Sequence, residues 1–113
     1  MLTIDTLKEY GANVEEGLSR CMGNEDLYLR LVKMCAEELA SSDLGEALKE
    51  ADLDRAFSAA HKLKGGVTNL SLTPLSEPVC ELTELLRNKT PGDYDGLYDQ
   101  IMKKADELSA LVE

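Results

Sequence analysis

The sequence predicts an all-α protein, an up-and-down antiparallel four-helix bundle with short extra N-terminal helices. Three observations carry this. Apolar residues recur three and four apart through most of the chain, and β-type alternation is almost absent. There is one phenylalanine and no tryptophan. Capping residues and turn formers fall between the periodic stretches. A length of 113 residues fits one domain spanning 1–113 around one core.

The elements follow in order. Asn13 can cap a first short helix through Cys21 that Gly23 ends. Asn24, followed by Glu25 and Asp26, starts the next, with acids at the positive end of the dipole. That helix runs to about Ala40, and Leu27, Leu31, Met34 and Leu39, with Tyr28, Val32 and Cys35 beside them, make a wide core-facing stripe. A short helix from about Asp43 to Glu50 follows.

Asp52 reads as the cap of the central helix. Within it Leu53, Ala56, Ala60, Leu63, Val67 and Leu70 are spaced 3, 4, 3, 4, 3, an unbroken bundle seam. Thr73 and Pro74 mark another start, threonine as cap and proline at the first helical position, for a helix reaching about Arg87. Pro78 removes a bond to the carbonyl of Pro74, which implies either an irregular first turn or a kink. Asn88 to Gly92 is a turn, and Asp93 caps a last helix with Leu97, Ile101, Ala105, Leu108 and Leu111 or Val112 inward. Short connections make consecutive helices antiparallel neighbours.

Composition narrows the functions. A formal charge of -10 repels phosphate backbones, so no nucleic-acid partner is expected. No stretch reaches the roughly 20 apolar residues of a spanning helix, and the amino end lacks a secretory pattern, so the expectation is a cytoplasmic protein without a membrane partner. Cys21, Cys35 and Cys80 are odd in number and unpaired in spacing, which favours free thiols over a disulfide framework or zinc site.

One window stands out. Acids make up 22 of the 113 residues, yet none lies between Arg55 and Ser76, where Arg55, Lys62, Lys64 and the only histidine, His61, are found. With Leu53, Ala60 and Val67 in the core, His61 falls one step round, at least partly exposed, on a flank with Asp54, Phe57, Ser58, Lys64, Gly65 and Thr68.

A lone histidine is more often a surface residue without a role, but its neighbours point to chemistry. Gly65 and Gly66 each cost about 1 kcal/mol relative to alanine inside a helix. Gly65, one turn beyond His61, leaves room for another molecule to approach the imidazole; close helix packing is the competing explanation. Lys64 can reach oxygens of a group attached to the ring. The set supplies a nucleophilic nitrogen, a cation for phosphoryl charge and a steric gap, with no hydrolytic machinery.

These residues also carry a resemblance. His61-Lys62-Leu63-Lys64-Gly65 resembles the HxLKG motif of histidine phosphotransfer (HPt) domains, the carriers of multistep two-component phosphorelays. Asn69-Leu70-Ser71 stands where the family often has Asn-Leu-Gly, and Gly23-Asn24-Glu25-Asp26-Leu27-Tyr28 is similar to its segment before the second helix. The likeness covers roughly Tyr10 to Arg87 and implies the same four-helix fold. It implies that His61 is the phosphoacceptor, that Lys64 stabilises phosphoryl oxygens, and that Gly65 admits a receiver domain. Ser71 in place of glycine, and Pro78 in place of a small helix former, depart from the family pattern.

The function expected is reversible transfer. A receiver phosphoaspartate donates to His61, and the phosphohistidine passes the group to an aspartate of another response regulator. The partners implied are sensor or hybrid histidine kinases and receiver domains, with Phe57, Ser58, Lys62, Gly65 and Thr68 as the docking surface. No metal site and no cofactor are expected on this chain; Mg²⁺ prefers clustered carboxylates and belongs on the receiver. The chain should be a monomeric phosphocarrier rather than an enzyme, since no phosphate loop or nucleotide-binding sheet is present. The rivals are a non-phosphorylated docking adaptor or inhibitor of the same shape, and an enzyme built on a Cys-His pair or a metal.

Overall fold

The computed structural model describes residues 1–112. Among them lie seven helices: α1 (Ile4–Tyr10), α2 (Val14–Arg20), α3 (Glu25–Ala40), α4 (Leu44–Lys49), α5 (Leu53–Asn69), α6 (Thr73–Arg87) and α7 (Tyr94–Val112).

Local chemistry explains most of the starts. The side chains of Asn13, Asn24 and Asp52 accept hydrogen bonds from the backbone N–H groups of Glu16, Leu27 and Arg55 at 3.3, 3.0 and 3.1 Å. Each satisfies one of the orphan donors of a first turn. Asp93 does the same for Gly96 at 2.8 Å. The α1 helix is an addition to the sequence reading. Thr3 and Thr6 bond reciprocally at its start, and Gly11, at φ 110°, ends it.

The start of α6 differs from expectation. Leu72, not Thr73, is its N-cap, and Thr73 and Pro74 open the helix without a side-chain cap. The reason is burial: Leu72 is 0% exposed, so the core fixes where the chain turns. Pro78 is buried within α6, which runs unbroken from Thr73 to Arg87.

Helices α3, α5, α6 and α7 form the bundle, α5 against α6, α6 against α7, and α3 against both α5 and α7. Cross-helix contacts fix the directions. Along α5 and α6, Ser76 bonds to the Val67 carbonyl while Arg87 stacks on Phe57. Between α3 and α5, Tyr28 bonds to Leu70 while Glu38 pairs with Lys62. In each pair one index rises as the other falls, so neighbours are antiparallel and the bundle is up-and-down. Its core includes Tyr28, Val32, Leu63, Val67, Leu82 and Ile101.

The inward face of α3 is narrower than the wide stripe expected and centres on its Tyr28 side, with Met34 outside it. Tyr28, Val32, Cys35, Ala36 and Leu39 are buried, whereas Leu27 and Leu31 are half-buried and Met34 is 55% exposed. Periodicity could not choose between these adjacent stripes. Two glycines do: a Cβ on Gly17 would collide with the Tyr28 ring, and one on Gly66 would touch the Cys35 sulfur at 3.4 Å. Those gaps receive the Tyr28 stripe.

Candidate functional site

The central helix presents two strips of opposite character. Ala56, Ala60, Leu63 and Val67 are buried, while His61, Lys62 and Gly65 on the other side are exposed. A full inward seam anchors α5 along its length, so the outward residues sit on a rigid support.

Gly65 is not a packing glycine. A Cβ there would meet nothing within 4 Å, so close helix packing does not explain it. Its neighbour Gly66 is the packing glycine, against Cys35. The space one turn beyond His61 is open.

The ring of His61 lies against Phe57, with centroids 5.7 Å apart and planes tilted by 36°. Phe57 is half-buried at the edge of the core, so it belongs partly to the packing and partly to the surface. Over its ring, 5.2 Å from the centroid, stands the guanidinium of Arg87 from α6, a cation–π geometry. Ser58 is exposed. Thr68 is half-buried, and its hydroxyl donates to the Lys64 carbonyl at 2.7 Å, which ties its oxygen into the helix.

The acid-free window of the sequence is not acid-free in space. Lys64 Nζ lies 3.8 Å from Glu84 Oε1 of α6, and Arg87 Nε lies 3.3 Å from the same oxygen. Lys62 pairs with Glu38 of α3 at 4.0 Å, and Asp54 with Lys89 at 3.5 Å. Nothing in the sequence near His61 signals Arg87 or Glu84. They are more than twenty residues away and reach the site only through the register of α6 on α5.

The last turn of α5 is held from outside the bundle. Ser71 takes φ 55°, the left-handed conformation that favours glycine. It closes the helix with bonds from its N–H to the Thr68 carbonyl and from Leu72 N–H to the Val67 carbonyl. Its hydroxyl donates to Glu16 at 3.1 Å and accepts from Arg20 at 3.3 Å; Arg20 also donates to the Thr68 carbonyl. The departure from glycine is thus accommodated by α2.

Among the described residues no group of three or more His, Cys, Asp or Glu could hold a metal ion. Cys35 is buried, and burial pushes its thiol up to about 11, which makes it a poor nucleophile at neutral pH. No helix is long and apolar enough to cross a membrane among the described residues.

The family model described as Hpt domain matches residues 26–112. No curated protein and no solved structure matches the chain. The match runs from α3 through α7, the four bundle helices and the short α4 between them, and it includes the strip that presents His61. The chain belongs to the Hpt domain family, the histidine phosphotransfer modules of phosphorelays.

Proposed function

We propose that this chain is a phosphocarrier that accepts a phosphoryl group on His61 from a phosphoaspartate of a receiver domain and delivers it to an aspartate of a second response regulator. The observation that carries the reading is an exposed imidazole on a rigid helix with open space one turn away, at Gly65, and a cation at Lys64.

The chemistry asked of the chain is small. One nitrogen of the neutral imidazole uses its lone pair to attack phosphorus; the N–P bond forms as the P–O bond of the acyl phosphate breaks. The aspartate leaves as a carboxylate with the bonding pair, and the ring keeps its other N–H as a phosphorylated imidazolium. Onward transfer reverses these changes on the second receiver. Lys64 meets the phosphoryl oxygens with a charge-assisted contact. The receiver supplies Mg²⁺, since carboxylate clusters are what that ion prefers.

The docking surface surrounds His61. Phe57, Ser58, Lys62, Gly65 and Thr68 face the approaching receiver, and a shallow groove between α3 and α5, lined by Leu31, Met34, Gly66, Asn69 and Leu70, extends it with apolar surface. Such a carrier needs no ATP site and no hydrolytic residues.

The test is incubation with a phosphorylated receiver-containing hybrid kinase, followed by acid treatment of any label. Acid-labile label on the wild type and none on His61→Gln, with both proteins equally folded by circular dichroism, is the expected result. A fully labelled His61→Gln protein would overturn the assignment. Stable complexes with receivers but no label on the wild type would favour the docking-only bundle.

A further inference from the structure

Two cations at the rim of His61 share one carboxylate oxygen. Glu84 Oε1 lies 3.3 Å from Arg87 Nε and 3.8 Å from Lys64 Nζ. Arg87 in turn covers Phe57, whose ring contacts the imidazole. The start of the same helix shows the opposite balance: Arg55 alone faces Asp43, Glu46 and Glu50. At the rim of His61 the ratio is inverted, leaving local positive charge in a chain of net charge -10.

We infer that Glu84 is a positioning residue for phosphotransfer: its carboxylate occupies Lys64 and Arg87 in the resting protein, gives them up when His61 carries a phosphoryl group, and thereby lowers the stability of the phosphohistidine relative to the receiver's phosphoaspartate. This rests on the carrier reading above.

The physical reason is competition between anions. A phosphoryl group on the imidazole brings two negative charges and three acceptor oxygens one turn from Lys64. To contact those oxygens Lys64 must leave Glu84, and the carboxylate left behind repels the new charge. Both effects act on the phosphorylated state, and neither acts on the receiver. The equilibrium of the balanced step written above therefore moves toward phosphoaspartate, which suits a carrier that must release what it accepts. Because Glu84 is exposed, the effect is modest and sensitive to salt.

The experiment measures how label divides at equilibrium between a receiver domain and the full chain, comparing wild type, Glu84→Gln, Glu84→Asp and Glu81→Gln. Glu81, one turn earlier on the same helix, lines the groove between α6 and α7 with Gln100 and Lys103 and pairs with neither Lys64 nor Arg87, so its variant removes one charge and leaves the shared contact in place. Glu84→Gln should shift the ratio toward phosphohistidine about three- to fivefold, the size of exposed charge contacts, with the gap closing at high salt. Glu84→Asp should restore part of the wild-type ratio, and Glu81→Gln should match wild type. Equal ratios in all four proteins, or equal shifts in Glu84→Gln and Glu81→Gln, overturn the inference while leaving the carrier reading intact. No acid-labile label on His61 in any of them, from the receiver or from phosphoramidate as a small histidine-phosphorylating donor, means that the carrier reading fails and takes this inference with it.

Discussion

The first turn of α5 and its middle use cations in opposite ways. Near the start, Arg55 bonds to Asp43 at 2.5 and 2.8 Å, reaches Glu46 at 3.7 Å, and also pairs with Glu50. Three carboxylates surround one guanidinium, and the effect is to fasten α4 to α5. Near the middle, Lys64 and Arg87 share Glu84. A cation saturated with carboxylates has nothing left for an incoming anion, whereas two cations on one carboxylate do. The stoichiometry of the pairing, more than the residue types, separates the end of the helix that is fastened to α4 from the stretch that presents His61.

The sharpest way to break this comparison is steric. Gly65→Leu should reduce transfer by about a hundredfold or more, because a displacement of about 1 Å at a reacting centre has that effect. Its thermal midpoint should hold or rise, since leucine is the better helix former and its Cβ meets no neighbour. Gly66→Leu should do the reverse at the level of the fold, destabilising by about 1–3 kcal/mol through crowding against Cys35. A Gly65→Leu chain that relays at the wild-type rate would remove the steric argument.

The two cations come next. Lys64→Ala should slow transfer about tenfold to a hundredfold, the loss of one charge-assisted contact of about 1–3 kcal/mol, and leave the midpoint unchanged. Arg55→Ala should lower the midpoint and leave the transfer rate alone. Arg55 holds the Asp43 carboxyl below the usual carboxylate range. Its contribution is therefore complete above that range and lost as pH falls through the depressed value. Acid titration of stability should show that loss in the wild type and less of it in Arg55→Ala; identical profiles would detach Asp43 from the clamp.

The smallest effects concern helix ends. Ala51 at φ 56° and Ser71 at φ 55° both hold left-handed positions. Ala51→Gly, on an exposed turn, should stabilise by about 0.5–1 kcal/mol. Ser71→Gly should gain less, because it forfeits the hydroxyl contacts with Glu16 and Arg20. Chemical denaturation of the two variants side by side decides it, and an equal gain would mean that those contacts contribute nothing.

Much of the architecture was legible because it is written in local signals. The seam of α5 spans six apolar positions at bundle spacing, and Asn13, Asn24, Asp52 and Asp93 cap where their side chains predict. The α1 helix was overlooked although Thr3 and Gly11 bracket it, since seven residues show little periodicity. The face of α3 was not decidable from α3, because Gly17 and Gly66, on other helices, select it. At the site, His61, Lys64 and Gly65 follow from one turn of one helix. Arg87 and Glu84 depend on how α6 slides along α5, which short-range spacing does not encode.

The helix that bears His61 is tethered by segments lying outside the frame that defines the family. The match begins at residue 26, yet the carbonyl of Ser71 accepts from the Asn13 N–H at 2.9 Å, Arg20 reaches the Thr68 carbonyl, and Gly17 makes room for the tyrosine that bonds Leu70. A fragment cut at the family boundary would keep all four long helices and lose the splint on the final turn of the central one. The smallest piece that behaves like the full chain should therefore start well upstream of the homologous region, and domain swaps within the family should exchange the N-terminal segment with the bundle as one unit.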